Sequence, residues 1–201
     1  MKTIMIKNLL LFLVIILTTS FTPPTLRDSV TIKNEIFEIT YSEVLESPLV
    51  VKYKVACVNG TASRAGMDFY TVPNIHTSDN ADYVNNIYDK GHMAPAADFN
   101  CTKEMLRLTF SYVNCALQDQ GLNRLTWRFL EAKEREYAKT NTVNVVITVD
   151  VDKTCIKLPS GAYVPKGFYK TIYIVETKQV LKYYMPNSKP VYSDPEKYRV
   201  K

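Results

Sequence analysis

The sequence predicts an α+β domain built on a largely antiparallel sheet. Three observations predict it. Alternating or β-branched segments come first, helical periodicity is confined to the middle of the chain, and strand-like segments return afterwards. Strands grouped in this way pair with sequence neighbours, whereas an alternating βα order would call for parallel pairing.

The elements follow in order. Lys2 and Lys7 precede an apolar run from Leu9 to Leu17, and Thr18, Thr19 and Ser20 follow it. This is the layout of a secretory signal peptide, assigned to residues 1–20, and the run is short of the about 20 apolar residues a membrane span needs. The alternative is an uncleaved N-terminal anchor. The expected protein is therefore secreted or periplasmic, with residues 21–201 as a single domain of a size that supports one core. From Val30 to Thr40 apolar and polar residues alternate as in a half-buried strand, and Pro48 to Val58 is β-branched and ends at the turn signal Asn59-Gly60. A short strand is expected near Met67 to Tyr70, and residues 72–87, polar and rich in asparagine, read as a loop.

Helical spacing runs from Lys103 to Thr109 and, more clearly, from Leu122 to about Thr140, where Leu122, Leu125, Phe129 and Leu130 recur with charged residues between them. "TVNVVITVDV", "GFYKTIYIVET" and "QVLKYYM" then read as three strands, punctuated by Pro165-Lys166-Gly167 and Pro186-Asn187. The tail after Pro190 carries no pattern.

Charge and cysteine usage bound the function loosely. The formal net charge is +5, and +3 without residues 1–20, which contain two lysines and no acid. That surplus is compatible with a polyanionic substrate without requiring one. Cys57, Cys101, Cys115 and Cys155 form no C-x-x-C pair, so zinc ligation is not indicated; in an exported chain they allow up to two disulfides, with three full connectivities.

The chemistry concentrates in two stretches. "YDKGHMAPAADF", Tyr88 to Phe99, holds one of only two histidines, set in a turn of small residues. A neutral imidazole can take a proton at ordinary pH, and Gly91 and Ala94 leave room for a ligand to approach. By itself His92 reads more readily as a loop histidine held by hydrogen bonds than as a catalytic group. His76, in "NIHTSDN", is a surface residue. In the second stretch, Asn123 falls in the first turn of the long helix, and Asn123, Trp127, Glu131 and Arg135 are spaced by four, which places them on one face. The simpler reading of that face is a helix-terminating asparagine and a Glu131–Arg135 pair.

Taken together, Asp89-Lys90-Gly91-His92, the segment Asn114 to Gln118, and Leu122-Asn123, Trp127 and Leu130-Glu131 resemble the DNA/RNA non-specific endonucleases. These belong to the His-Me finger, or ββα-metal, group. The resemblance covers about residues 50–190, with Arg64, "VPKGFYKTIY" and "MPNSKP" as flanking matches. It implies a ββα-metal active-site motif and a metal-dependent hydrolase acting on DNA and RNA without strong sequence specificity. His92 is then the general base and Asn123 the protein ligand of Mg²⁺, or of another divalent cation such as Mn²⁺. Glu131 orients water around the ion, and Asn114 helps fix the site. Arg64, Lys90 and Arg135 hold phosphate oxygens, and the products carry 5′-phosphate and 3′-hydroxyl ends. Two positions depart from the family pattern: Lys90 replaces an arginine, losing its bidentate fork, and Leu117 replaces a proline. The alternative is a non-catalytic nucleic-acid-binding or uptake protein on the same fold.

Overall fold

Alternation and β-branching place most strands where the sequence suggests. A computed structural model describes residues 25–201, so the signal-peptide assignment lies outside the described residues. The main sheet has seven strands in the order β1-β2-β3-β6-β7-β8-β9. They are β1 Val30–Lys33, β2 Phe37–Ser42, β3 Ser47–Lys54, β6 Val143–Asp150, β7 Gly167–Ile174, β8 Gln179–Pro186 and β9 Arg199–Val200. Every pairing in it is antiparallel. The expected α+β class is thus the observed one.

A separate two-stranded ribbon joins β4, Tyr88–His92, to β5, Cys115–Asp119, with His92 opposite Cys115. Helix α1 is Lys103–Thr109. The long helix begins as α2, Gln120–Leu122, widens into a π-helical turn over Asn123–Trp127, and continues as α3, Arg128–Ala138. No helix among the described residues is long and apolar enough to cross a membrane.

Three local expectations are corrected. Val30 to Thr40 is a hairpin, not one strand, because the Asn34 side chain accepts from Ile36 N and Phe37 N, each at 3.0 Å, and turns the chain. Met67 to Tyr70 contributes only an isolated bridge, Tyr70 to Ser111. His92 ends a strand instead of sitting in a turn.

The core lies between the sheet and the long helix. Trp127, Leu130, Val145, Ile147, Phe168 and Ile172 are all buried, and the Trp127 and Phe168 rings stand 5.4 Å apart. Each such large apolar side chain stabilises the fold by about 1.5–3 kcal/mol relative to exposure. Beneath the helix the core is ionic: Lys170 Nζ sits 4.2 Å from the Trp127 ring centre and donates to Glu134, which also accepts from Tyr53 Oη at 2.6 Å. This buried pair pins α3 to β3 and β7. One disulfide, Cys57–Cys101, ties the loop after β3 to the segment before α1. Cys115 and Cys155 are free; Cys115 is buried in β5 with its sulfur 3.2 Å from Tyr83 Oη, and Cys155 is half-buried in a turn after β6.

Candidate active site

The ribbon and the long helix meet at a cleft of about 630 Å³, lined by Arg64, Phe69, Asp89, Lys90, His92, Pro95, Ala96, Ala97, Asn123, Arg124, Arg128, Glu131 and Arg135. Six of the seven site residues expected from sequence therefore share one cavity. Five cationic side chains face two carboxylates there, a surplus suited to a polyanion.

β4 delivers His92 to this cleft. Gly91 is required beneath it, because a Cβ there would lie 2.4 Å from Gln118 Oε1 and 2.6 Å from Gln118 Cβ on β5. The imidazole makes no hydrogen bond among the described residues, and its Nε2 is buried. Aromatic packing orients it instead: Phe69 and Phe110 each lie with ring centres 5.0 Å away, and the Arg64 guanidinium sits 5.8 Å over Phe110. Burial, with the nearby Arg64 charge adding to it, pushes the His92 pKa down to about 3. The ring is thus neutral at ordinary pH, the form that accepts a proton.

Asn114 does not line the cleft. Fully buried, it holds the chain just past His92: Oδ1 accepts from Ala94 N at 2.8 Å, and Nδ2 donates to the carbonyls of Ala94 and Thr109 at 2.9 and 3.0 Å. The side chain expected among the catalytic groups thus supports the backbone that carries the imidazole.

Asn123 opens the π-helical turn, a widening of the helix that is frequent at functional positions. Its Nδ2 donates to Asp89 Oδ2 at 2.9 Å, leaving Oδ1 without a hydrogen-bond partner among the described residues. Asp89 is further held by Arg124, through Nε at 2.8 Å and Nη2 at 2.6 Å. Burial raises the Asp89 pKa, but the hydrogen bonds from Arg124 and Asn123 outweigh it and leave the carboxyl below its ordinary value. Asp89 was not singled out from the sequence, although it stands within the Asp-Lys-Gly-His match.

Glu131 enters the cleft two turns along the helix. Burial raises its pKa to about 7, against the opposing charge of Lys170. The Glu131–Arg135 pair of the simpler reading does not form among the described residues. Arg135 Nη1 instead donates to the buried Asp98 at 2.8 Å, which commits it to the cleft wall. Trp127, on the same face as Glu131, is fully buried and packs its ring against Phe168. Lys90 is tied to its surroundings as well. Its ammonium donates to Asn80 Oδ1 and stands over three rings, Phe69, Tyr83 and Tyr112, at 5.2, 5.7 and 5.4 Å. It lines the cleft as an anchored point charge, with part of its bonding capacity already spent on the wall. Leu117, the other departure, is buried against Ala162 and Val164, and its carbonyl accepts from Asn187 Nδ2 at 2.9 Å. His76 is half-exposed and 3.0 Å from Glu46.

No group of three or more His, Cys, Asp or Glu side chains among the described residues could cage a metal ion. With Asp89 committed to Asn123 and Arg124, what the cleft provides is one amide oxygen, Asn123 Oδ1, and one carboxyl group, Glu131, beside an unpartnered imidazole. That donor set fits a hard, largely hydrated divalent cation and does not fit a site enclosed by protein.

A two-stranded ribbon, a following helix, and a histidine, asparagine and glutamate converging between them define a ββα-metal nuclease fold. The family model for DNA/RNA non-specific endonucleases matches residues 18–201, and the chain belongs to that family. Mitochondrial endonuclease G of Bos taurus is 31% identical over 86 residues, which cover 41% of this chain and 29% of that protein. A nuclease of Syncephalastrum racemosum is 37% identical over 78 residues, covering 38% and 24%. Nuclease C1 of Cunninghamella echinulata var. echinulata is 32% identical over 115 residues, covering 51% and 46%. The chain thus spans less than half the length of these curated relatives. A chain of the solved EndoG/EndoGI complex superimposes with a TM-score of 0.72 at 26% identity, covering 89% of this chain and 82% of that one.

Proposed function

We propose that this protein is an exported, metal-dependent endonuclease that hydrolyses phosphodiester bonds of DNA and RNA with little sequence specificity. The observation that carries the reading is the convergence of His92, Asn123 and Glu131 in one cleft with a cationic surplus. Mg²⁺, held through Asn123 Oδ1, would supply Lewis-acid stabilisation of the charge that develops on the phosphate and the leaving oxygen. His92, kept neutral by burial, takes the proton from the attacking water. Asp89 fixes the sense of the Asn123 amide so that its oxygen is presented to the cleft. Glu131 would orient water around that cation. Arg64 and the anchored Lys90 ammonium attract phosphate oxygens, while Arg135 holds Asp98 and shapes the wall. Attack on phosphorus with loss of the 3′ oxygen leaves 5′-phosphate and 3′-hydroxyl ends. Contacts directed at the backbone carry little base information, which supports a reading with weak sequence specificity.

The test is digestion of plasmid and of RNA by the protein lacking residues 1–20, with Mg²⁺ or with EDTA, followed by analysis of the ends. Cleavage that needs the divalent ion and leaves 5′-phosphates is expected. No cleavage with any divalent cation would leave a non-catalytic nucleic-acid-binding protein as the better reading.

A further inference from the structure

Lys90 occupies the position where the family pattern has an arginine, and a lysine there lacks the planar fork that matches two phosphate oxygens. The forked donors on the neighbouring wall come from the helix. Arg124 and Arg128, four residues apart, both line the cleft and both are exposed. Arg124 spends Nε and Nη2 on Asp89 and keeps Nη1 uncommitted, with 66% of its side chain exposed. Arg128 makes no ion pair among the described residues, and its guanidinium lies 5.5 Å from the ring centre of Phe129, itself an exposed aromatic on the same helix. Exposed phenylalanine beside an unpaired arginine has no role in the core, where Trp127 and Leu130 already fill the buried face. Such pairs suit a nucleic-acid strand: the guanidinium meets phosphate, and the ring offers a stacking face to a base.

We infer that Arg128, with Arg124 and Phe129, forms a second phosphate-binding subsite, which grips the nucleic-acid strand next to the scissile phosphate. It rests on the nucleic-acid reading above and not on the cleavage step. Lys90 then acts as a fixed point charge within the site, and the forked contacts move one strand position outward to the helix.

The test is binding of a labelled 12-nucleotide single strand to the His92→Ala protein across a salt series, with and without Arg128→Ala. Each phosphate neutralised on a single strand contributes about 0.7 to the slope of log affinity against log salt. Losing Arg128 should therefore flatten the slope by about 0.7 and weaken affinity about fivefold at 0.1 M relative to 1 M salt. Arg128→Lys should restore the slope but not the full affinity, and Phe129→Ala should weaken binding with the slope unchanged. An unaltered slope in Arg128→Ala would overturn the subsite, whatever the affinity. Mg²⁺-dependent cleavage by the unmutated protein is measured alongside. Cleavage with an unaltered Arg128→Ala slope sinks the subsite alone, whereas a flattened slope without any cleavage sinks the catalytic reading and upholds the subsite.

Discussion

Replacing Asn114 with alanine removes three hydrogen bonds from the buried segment that follows His92. The lost partners are Ala94 N, the Ala94 carbonyl and the Thr109 carbonyl, at 2.8, 2.9 and 3.0 Å from the amide. The side chain is fully buried, so water does not reach these groups without local opening. An unsatisfied buried polar group costs about 1–3 kcal/mol, and the low end of that range for three groups gives about 3 kcal/mol. With a urea dependence of about 2 kcal/mol per molar, the unfolding midpoint should fall by about 1.5 M. Because Ala94 lies two residues beyond His92, catalysis should fall as well, by about tenfold or more even in urea-free buffer where the protein remains folded. Asn114→Asp keeps the acceptor for Ala94 N but turns both donated bonds into repulsions, so it should not rescue. A midpoint shift below about 0.5 M would refute the reasoning, as would normal cleavage by a destabilised Asn114→Ala protein.

Two more outcomes follow from the same structure. Cys57 and Cys101, 44 residues apart, enclose β4 and His92, and a closed loop of that length is worth about 4 kcal/mol by chain entropy. Reduction, or Cys57→Ser with Cys101→Ser, should lower the thermal midpoint and speed proteolysis between residues 57 and 101; an unchanged midpoint would count against it. The pH dependence of stability without divalent cation should show two opposed slopes. Glu131, raised from 4.5 to about 7, contributes stability that is complete below pH 4.5 and lost as pH rises through 7. His92, lowered from 6.5 to about 3, is protonated in the unfolded chain first, so its share is complete above pH 6.5 and lost as pH falls toward 3. The two oppose each other between pH 4.5 and 6.5. Urea titrations should find that Glu131→Gln leaves stability rising with pH across this window, and His92→Asn leaves it falling. Identical profiles for the two variants would contradict the assignment.

The sheet was largely legible because its strands advertise themselves. β3, β6, β7 and β8 are β-branched or alternating and bounded by turn residues, and each lies where the pattern puts it. β5 was not legible as a strand, because all five of its residues are buried, including Gln118 and Asp119, so no alternation marks it. Without β5, β4 could only look like a turn of small residues; its glycine makes sense once Gln118 is seen packed across from it. The Asn34 turn was hidden because apolar and polar residues alternate on both sides of it, although the apolar phase shifts across the turn, from Val30 and Ile32 to Phe37 and Ile39. Within the site, Asn123, Glu131 and His92 were found through their order and spacing, and the structure brings them to one cleft. Asn114 was read as helping to fix the site, but the partners of Asn114 and Arg135, Ala94 and Asp98, were not readable, since they are distant in sequence or unmarked in it. Asp89 and Arg124 escaped for the same reason: their bidentate pair joins residues 35 positions apart.

The central claim is that His92 is the proton acceptor of a metal-dependent phosphodiester hydrolysis. The most direct measurement is the initial rate of supercoiled plasmid cleavage with saturating Mg²⁺ for the unmutated protein and for His92→Ala, with folding of the variant checked by its near-UV dichroism. A positioned general base is worth about 10² to 10⁴ in rate. A folded His92→Ala protein that still binds DNA and has lost at least a hundredfold in rate is the predicted result. Cleavage by that variant within about threefold of the unmutated rate would contradict the account.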